Sequence, residues 1–461
     1  MRVTSLAVFI IGLLILSFPL PRIHGEVRAE TGQENILRLS LKEVQDYAVN
    51  HSIATQNAQL DVAMAKKKVR ETTATGFPQF SAKVSYVNNL QLPTTLIPAQ
   101  FIDPDAEEGT FIGVKFGTQH NATLELSVNQ LIFSGSYIVA LQAAKIYKRL
   151  SKEQLIKSEI EVKAAVTDTY YLILLAEDNK KTLETNLKNV KKTLFETKEL
   201  YKAGFTEDTD VDQIQLSVTN MENAVKSMER QIAVTYILLK YQMGFDLQKE
   251  IQLSQTLEDI LKEIDKQEML TAKFRLDNHI DYRMADTQEK SMFYLLKKEK
   301  SEYLPSISAF VAHSQMAMRD SFNFFKKSDE QWFPSTMFGI NINIPIFSSG
   351  IRAAKVAQAK MDLKKAKNTK KQVIDGLQLG LVQARSDFSN ALEKTESTRQ
   401  NVKLAKKIYE KTLVKYGSGT ASSLELTQTH NQYLTAESDY TNAAVELLTA
   451  KTRLDKALNR L

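Results

Sequence analysis

Two stretches of equal length constrain this chain most. Gly135 and Gly204 lie 69 positions apart, and so do Gly350 and Gly419. Each stretch is rich in Ala, Leu, Lys and Glu and reads as one uninterrupted helix. At 1.5 Å per residue each helix would be about 100 Å long. A helix of that length needs partners along its sides. Leu187, Val190, Leu194, Thr197 and Tyr201 follow 3-4-3-4 spacing near the end of the first stretch. Val402, Ala405, Tyr409, Thr412 and Tyr416 take the same phase in the second. That period of about 3.5 residues is the coiled-coil repeat, so these positions are expected to form a packed seam.

Two interruptions break the helical pattern, near 78–133 and 305–347, and both alternate with period two. Phe80, Ala82, Val84, Tyr86, Leu90 and Leu92 oppose Gln79, Ser81, Lys83, Ser85 and Gln91. After a Pro/Gly-rich loop, Ala122, Leu124, Leu126, Val128 and Ile132 oppose Asn121, Thr123, Glu125, Ser127 and Asn129. The second interruption carries Ile307, Ala309 and Val311, then Phe338, Ile340, Ile342, Ile344 and Ile346 against Asn341 and Asn343. Strands are therefore expected at about 79–92, 118–133, 305–316 and 335–347, each with one apolar and one polar face. Four strands cannot close a membrane barrel alone, because the edges would stay open. Either they pack on a soluble core or several chains pool them, and the alternation leaves both open.

The two halves repeat. Phe77-Pro78-Gln79-Phe80-Ser81-Ala82 parallels Leu304-Pro305-Ser306-Ile307-Ser308-Ala309, and Val128 to Phe133 parallels Ile342 to Phe347. The unit is helix, hairpin, long helix, tight turn, returning helix, and it occurs twice. The first copy spans 26–245, with helices over 41–75, 134–203 and 210–243. A linker follows over 246–275. The second copy spans 276–461, with helices over 278–303, 351–416 and 424–458. The chain-end residues Ala457-Leu458-Asn459 correspond to Gln242-Met243-Gly244. The halves differ outside this frame. From the hairpin proline to the corner phenylalanine is 55 positions in the first copy and 42 in the second.

Residues 1–25 read as a secretory signal. Arg2 supplies the positive end, Leu6 to Leu16 is apolar apart from Gly12, and Gly25 or Ala29 suits the last position before cleavage. A membrane anchor is the alternative, but the apolar run is shorter than the roughly 20 residues a span needs. Losing Arg2 and Arg22 would lower the net charge only from +6 to +4, and no basic run with interleaved aromatics points to nucleic acid. The absence of cysteine excludes disulfides, thiolate metal sites and a cysteine nucleophile. The six histidines show no metal-ligand spacing, and no Gly-rich phosphate loop occurs. The expectation is no enzyme, no cofactor and no metal. His51 and His279, each preceded by Asn, read as helix-end residues.

The order of these parts resembles the TolC family of outer-membrane efflux and secretion channels. The resemblance runs from Leu39 to the end. It rests on the opening Leu39-Ser40-Leu41-Lys42-Glu43-Val44, the proline before each hairpin, and the corners Phe133-Ser134-Gly135 and Phe347-Ser348-Ser349-Gly350. The tips Tyr201-Lys202-Ala203-Gly204-Phe205 and Tyr416-Gly417-Ser418-Gly419-Thr420 complete it. It implies a mainly α protomer with a small β part. In a homotrimer four strands per chain would close one 12-stranded barrel in the outer membrane, continued by a hollow periplasmic barrel of helices. The short helices 41–75 and 210–243 would stack end to end, and 246–275 would lie in an equatorial collar. The channel would be passive, docking a periplasmic membrane-fusion adaptor and an inner-membrane transporter for efflux or type I secretion. The alternative, a structural coiled-coil envelope protein, leaves the two symmetric hairpins unexplained.

The resemblance also nominates residues. Asp210 and Glu425 sit six positions after the tip glycines, where family members place an acid at the closed periplasmic aperture. Three copies of such an acid would make a ring of negative charge that favours cations. The simpler reading is an acid balancing a helix N-terminus. Tyr201 and Tyr416 match tip tyrosines, with seam packing the expected role. Gly204, Phe205, Gly419 and Thr420 are the expected adaptor-binding tip residues. The sequence departs from the pattern at Ala421, where some members carry a latching Arg, and at Gln428, where an acid is expected. Glu207 and Asp208 instead make the first tip unusually acidic. The cargo is not encoded in any motif.

Overall fold

The computed structural model describes residues 37–325 and 331–461. The expected signal at 1–25 lies outside them. The chain opens with a short strand β1 (Leu37–Leu39) and helix α1 (Leu41–His51). Ser40 caps α1 in a reciprocal box with Glu43. The helix expected over 41–75 is in fact two. Ser52 interrupts it with ψ 142°, closing α1 onto the Ala48 carbonyl at 2.8 Å. Its hydroxyl accepts from Thr55 N at 3.3 Å and so starts α2 (Ile53–Ala74). A residue that hydrogen-bonds its own backbone neighbours is suited to this double duty.

The first hairpin is β2 (Gln79–Asn88) and β5 (His120–Ser134). The loop expected between them carries a hairpin of its own, β3 (Thr94–Pro98) paired with β4 (Phe111–Lys115). The chain then enters α3 (Gly135–Lys202), turns, and returns as α4 (Asp208–Met243). The linker holds β6 (Ile251–Leu253), α5 (Leu257–Lys262) and α6 (Lys266–Thr271). β6 pairs in parallel with β1, which ties the start of the first half to the linker. The second half follows with α7 (Ile280–Ser301), β7 (Ser306–Arg319), β8 (Phe333–Asn343), α8 (Ile351–Gly417) and α9 (Ser423–Ala457). β8 stops short of the expected 347 because Pro345 has no N–H to offer a ladder. Leu90 and Leu92 likewise lie beyond β2, where Asn89 turns the chain by donating to Thr118 and Gln119 carbonyls.

β2, β5, β7 and β8 form one antiparallel sheet in the order β2-β5-β7-β8. Its register assigns the faces. Phe80, Val128, Val311 and Phe338 lie in one row across all four strands. Lys83, Glu125, Ser314 and Ser335 form a row on the opposite face. Phe80 is 79% exposed and Phe338 69%, so nothing among the described residues covers the apolar face. His313 falls on that face, where its Nδ1 is satisfied by Thr336 Oγ1 across the strands at 2.7 Å.

From the sheet hang four helices side by side, α2 on α3, α3 on α7, and α7 on α8. Ion pairs join them: Lys157 to Asp281 at 2.9 Å, and Lys370 to Asp286 at 2.7 Å and Glu289 at 3.1 Å. Farther down, α4 replaces α2 and α9 replaces α7 as partners of the long helices. The replacement is end to end. Gly244 closes α4 with φ 69°, and a Cβ there would lie 2.3 Å from the His51 carbonyl oxygen. In the second half Asn459 takes the same left-handed position, φ 57°. There His279 caps α7 by accepting from Asp281 N at 3.3 Å, and its ring meets the Lys456 backbone at the end of α9. The two Asn-His pairs therefore mark the two junctions. Around them lies the main core, in which Tyr170, Ile173, Phe388, Leu448 and Leu454 are fully buried.

Candidate functional site

The free ends of the two helical hairpins, α3/α4 and α8/α9, hold the nominated residues. Both tips are built alike. Gly204 (φ 76°) and Gly419 (φ 72°) take the left-handed position just after the helix. Phe205 N then bonds to Leu200 O, and Thr420 N to Lys415 O, each at 2.9 Å. These bonds, reaching back five residues, are the Schellman closure, and only glycine adopts that backbone without strain. The matched turns follow directly from the matched glycines.

Above the turns lies a small core of Val190, Leu194, Ile214, Val218, Tyr409, Leu426 and Tyr433, drawn from all four helices. Leu187, Val402, Ala405 and Tyr416 pack against it, and Thr197 and Thr412 are buried. Tyr201 departs from the expected seam. It is 48% exposed. Tyr416 is inside the seam, and its hydroxyl meets Thr197 Oγ1 at 3.0 Å.

The two acids six positions after the tip glycines are the third residues of α4 and α9. Their environments differ. Glu425 is exposed, its N–H donating to Ser422 Oγ at 3.1 Å and its carbonyl accepting from Thr429 Oγ1 at 3.0 Å. The Asp210 carboxylate accepts from the hydroxyls of Ser423 and Thr206 and from Glu207 N. Those donors, Ser423 foremost, hold its carboxyl below the usual range and keep it ionised. The Ser423 hydroxyl oxygen also lies 2.9 Å from Gln213 Oε1. Asp210 thus serves both the helix start and the neighbouring tip. Glu207 and Asp208 are exposed and bond only within the turn, through Thr209. Phe205 projects, 80% exposed, beside a space of about 720 Å³ between the tips that Gly419 and Ser423 also line.

Sequence reasoning missed Ser423 and Thr206. Ser423 directly follows the cap Ser422 and has no local signal, since its partners are 213 and 210 positions away. Among the described residues no group of three or more His, Asp or Glu side chains is placed to hold a metal ion.

A family model described as outer membrane efflux protein matches residues 46–244 and 275–460. The chain belongs to the outer membrane efflux protein family. Its fold is that of solved members. A CusC crystal structure superposes with a TM-score of 0.72 at 15% identity, over 96% of this chain and 98% of that one. The CmeC outer membrane channel of Campylobacter jejuni gives 0.70 at 15%, over 96% and 94%. The open state of the Neisseria gonorrhoeae MtrE outer membrane channel gives 0.68 at 14%, over 96% and 97%. No curated protein sequence matches the chain. As a member of the outer membrane efflux protein family it is an outer-membrane channel protein that reaches into the periplasm.

Proposed function

We propose that three copies of this chain form one continuous passive conduit from the periplasm to the exterior. The carrying observation is the pair of open edges. Among the described residues β2 and β8 each leave one edge of the sheet unpaired, while one face of the sheet is apolar. An open edge in hydrocarbon leaves backbone groups unsatisfied, and pairing β2 of one copy with β8 of the next removes both edges. Three copies give the 12-stranded barrel. The helices support the same closure. α2 buries Ala58, Val62 and Ala65 against α3, yet Ile53, Leu60 and Met64 on its other flank are more than 60% exposed. Met361, Leu379 and Val382 are comparably exposed on α8, the opposite free edge of the wall.

In this reading the acidic tips form the periplasmic aperture, with Asp210 and Glu425 repeated around it. Glu425 supplies unengaged negative charge. Asp210, held by Ser423, links the two hairpins of one protomer and stands in for the absent arginine latch. Phe205 and Thr420 on the projecting turns meet a periplasmic adaptor, which couples the conduit to an inner-membrane transporter for efflux or secretion. The test is purification from outer membranes in mild detergent, followed by cross-linking and planar-bilayer recording. A trimer with cation-selective, partly closed conductance is expected. A monomer in the soluble fraction would sink the proposal.

A further inference from the structure

Above the tip turns, a crevice of about 480 Å³ opens between α3, α4 and α9. Its lining runs from Gln213 to Ala224 on α4 and from Thr427 to Ser438 on α9. That places it about 6 to 24 Å beyond the starts of those helices, clear of the turns. Its volume falls in the range of small-molecule sites.

Two of its polar groups are left without partners. His430 is only 4% exposed, and its Nε2 makes no hydrogen bond. Thr427 Oγ1, one helical turn away, is buried and unpartnered as well. Leaving a buried polar atom without a partner is costly, so a pair of them beside open space marks a place where something donates or accepts. Tyr409 packs against the imidazole, the ring centroids 4.9 Å apart and the planes tilted by 31°. Burial alone pushes the imidazole down to about 4, so it is neutral near pH 7 and offers an acceptor. No Lys or Arg lines the crevice, and its one charged side chain is the carboxylate of Glu437. Leu183, Leu216 and Met221 supply apolar wall.

We propose that this crevice binds a small organic cation, a protonated amine on an apolar body. The ammonium donates to His430 Nε2 or Thr427 Oγ1, Glu437 supplies the favourable field, and the body rests on Leu216 and Met221. A bound cation bridges the first hairpin to α9 of the second. It therefore opposes parting of the tips, a consequence that rests on the proposed aperture, whereas the binding itself does not.

The test uses the detergent-solubilised full chain with ε-¹³C-methyl methionine, the Met221 signal being identified through Met221→Leu. Benzylammonium is titrated, with benzyl alcohol as the neutral comparison. The expected result is a saturable shift of the Met221 methyl, with benzyl alcohol binding several-fold more weakly. His430→Phe keeps a ring against Tyr409 and removes the acceptor, and about tenfold weaker benzylammonium binding is expected. Thr427→Val should act in the same direction without altering shape. Glu437→Gln should weaken benzylammonium and leave benzyl alcohol unchanged. An unmoved Met221 signal overturns the site, and equal affinities for the two probes overturn its preference for a cation. If binding is seen but bilayer conductance does not fall with benzylammonium, the aperture reading fails while the site stands.

Discussion

The Ser423 hydroxyl donates to the carboxylate of Asp210, so the first residue of α9 is tied to the third residue of α4. This is a link between hairpins of one chain, in which Asp210 also caps the start of its own helix. Because Ser423 is the leading cause of the lowered Asp210 carboxyl, Ser423→Ala should raise it toward the ordinary aspartate value of about 3.9. The sign follows from linkage. A depressed carboxyl contributes above its unfolded value and loses that contribution as pH falls through its folded value. The link is thus intact at neutral pH and lost only under strong acid. Bilayer recordings at pH 7 should show a higher resting conductance for Ser423→Ala and Asp210→Asn than for the unchanged protein. Unchanged conductance in both would show that the link does not restrain the tips.

Tyr416→Phe tests the second inter-hairpin bond. Thr197 keeps its bond to the Thr193 carbonyl at 2.9 Å, so no buried group is orphaned. The cost should be small, about 0.5–1.5 kcal/mol. Combined with Ser423→Ala in a double-mutant cycle, it measures how far the two bonds act together.

Much of this was legible in the chain. Equal glycine spacings announce equal helices, and period-two alternation announces the hairpins, because both patterns are local. What escaped is tertiary or depends on one residue doing two jobs. Ser52 looks like a mid-helix serine until its extended backbone is seen. Residues 93–118 read as loop because β3 and β4 are only five residues each, too short for alternation to register. Tyr201 fits the heptad phase of its neighbours, yet it stays half exposed, while Tyr416 in the matched place meets Thr197 across the seam. Ser423 reaches a carboxylate on the other hairpin, which no spacing rule encodes.

The junction at Gly244 gives a sharp stability prediction. Gly244→Ala must hold φ 69° and bring a Cβ against the His51 carbonyl. A loss of about 1–3 kcal/mol is expected, read as a lower thermal midpoint. Gly109→Ala has a similar φ of 89° but nothing within 4 Å, and should lose less. Equal losses would mean that backbone strain, not the docking of α4 on α1, sets the cost.

His279 makes the matching junction pH-sensitive. Burial lowers its imidazole below the ordinary 6.5, against the opposing pull of Asp281. Between the folded and unfolded values the unfolded chain binds more protons, so stability rises with pH there and falls on acidification below about 6.5. Thermal midpoints should decline from pH 7 to pH 5. His279→Asn keeps a side chain able to cap α7 and should flatten that decline. His430, lowered to about 4 by burial, adds a slope of the same sign, so the variant should reduce the dependence without abolishing it.

In the proposed barrel the register of the sheet separates a lipid face from a lumen face, and a single charge tests which is which. Val311 lies in the apolar row with Val128 and Phe338, whereas Ser314 lies in the row with Glu125 and Ser335. Arginine near the middle of a barrel's lipid face costs about 2–4 kcal/mol, while a lumen position tolerates it. Val311→Arg should therefore impair assembly into outer membranes, scored as loss of heat-resistant trimer on gels. Ser314→Arg should assemble and change ion selectivity toward anions. The reverse ranking would mean that the apolar row faces a packed protein interior, and the membrane placement of this sheet would have to be abandoned.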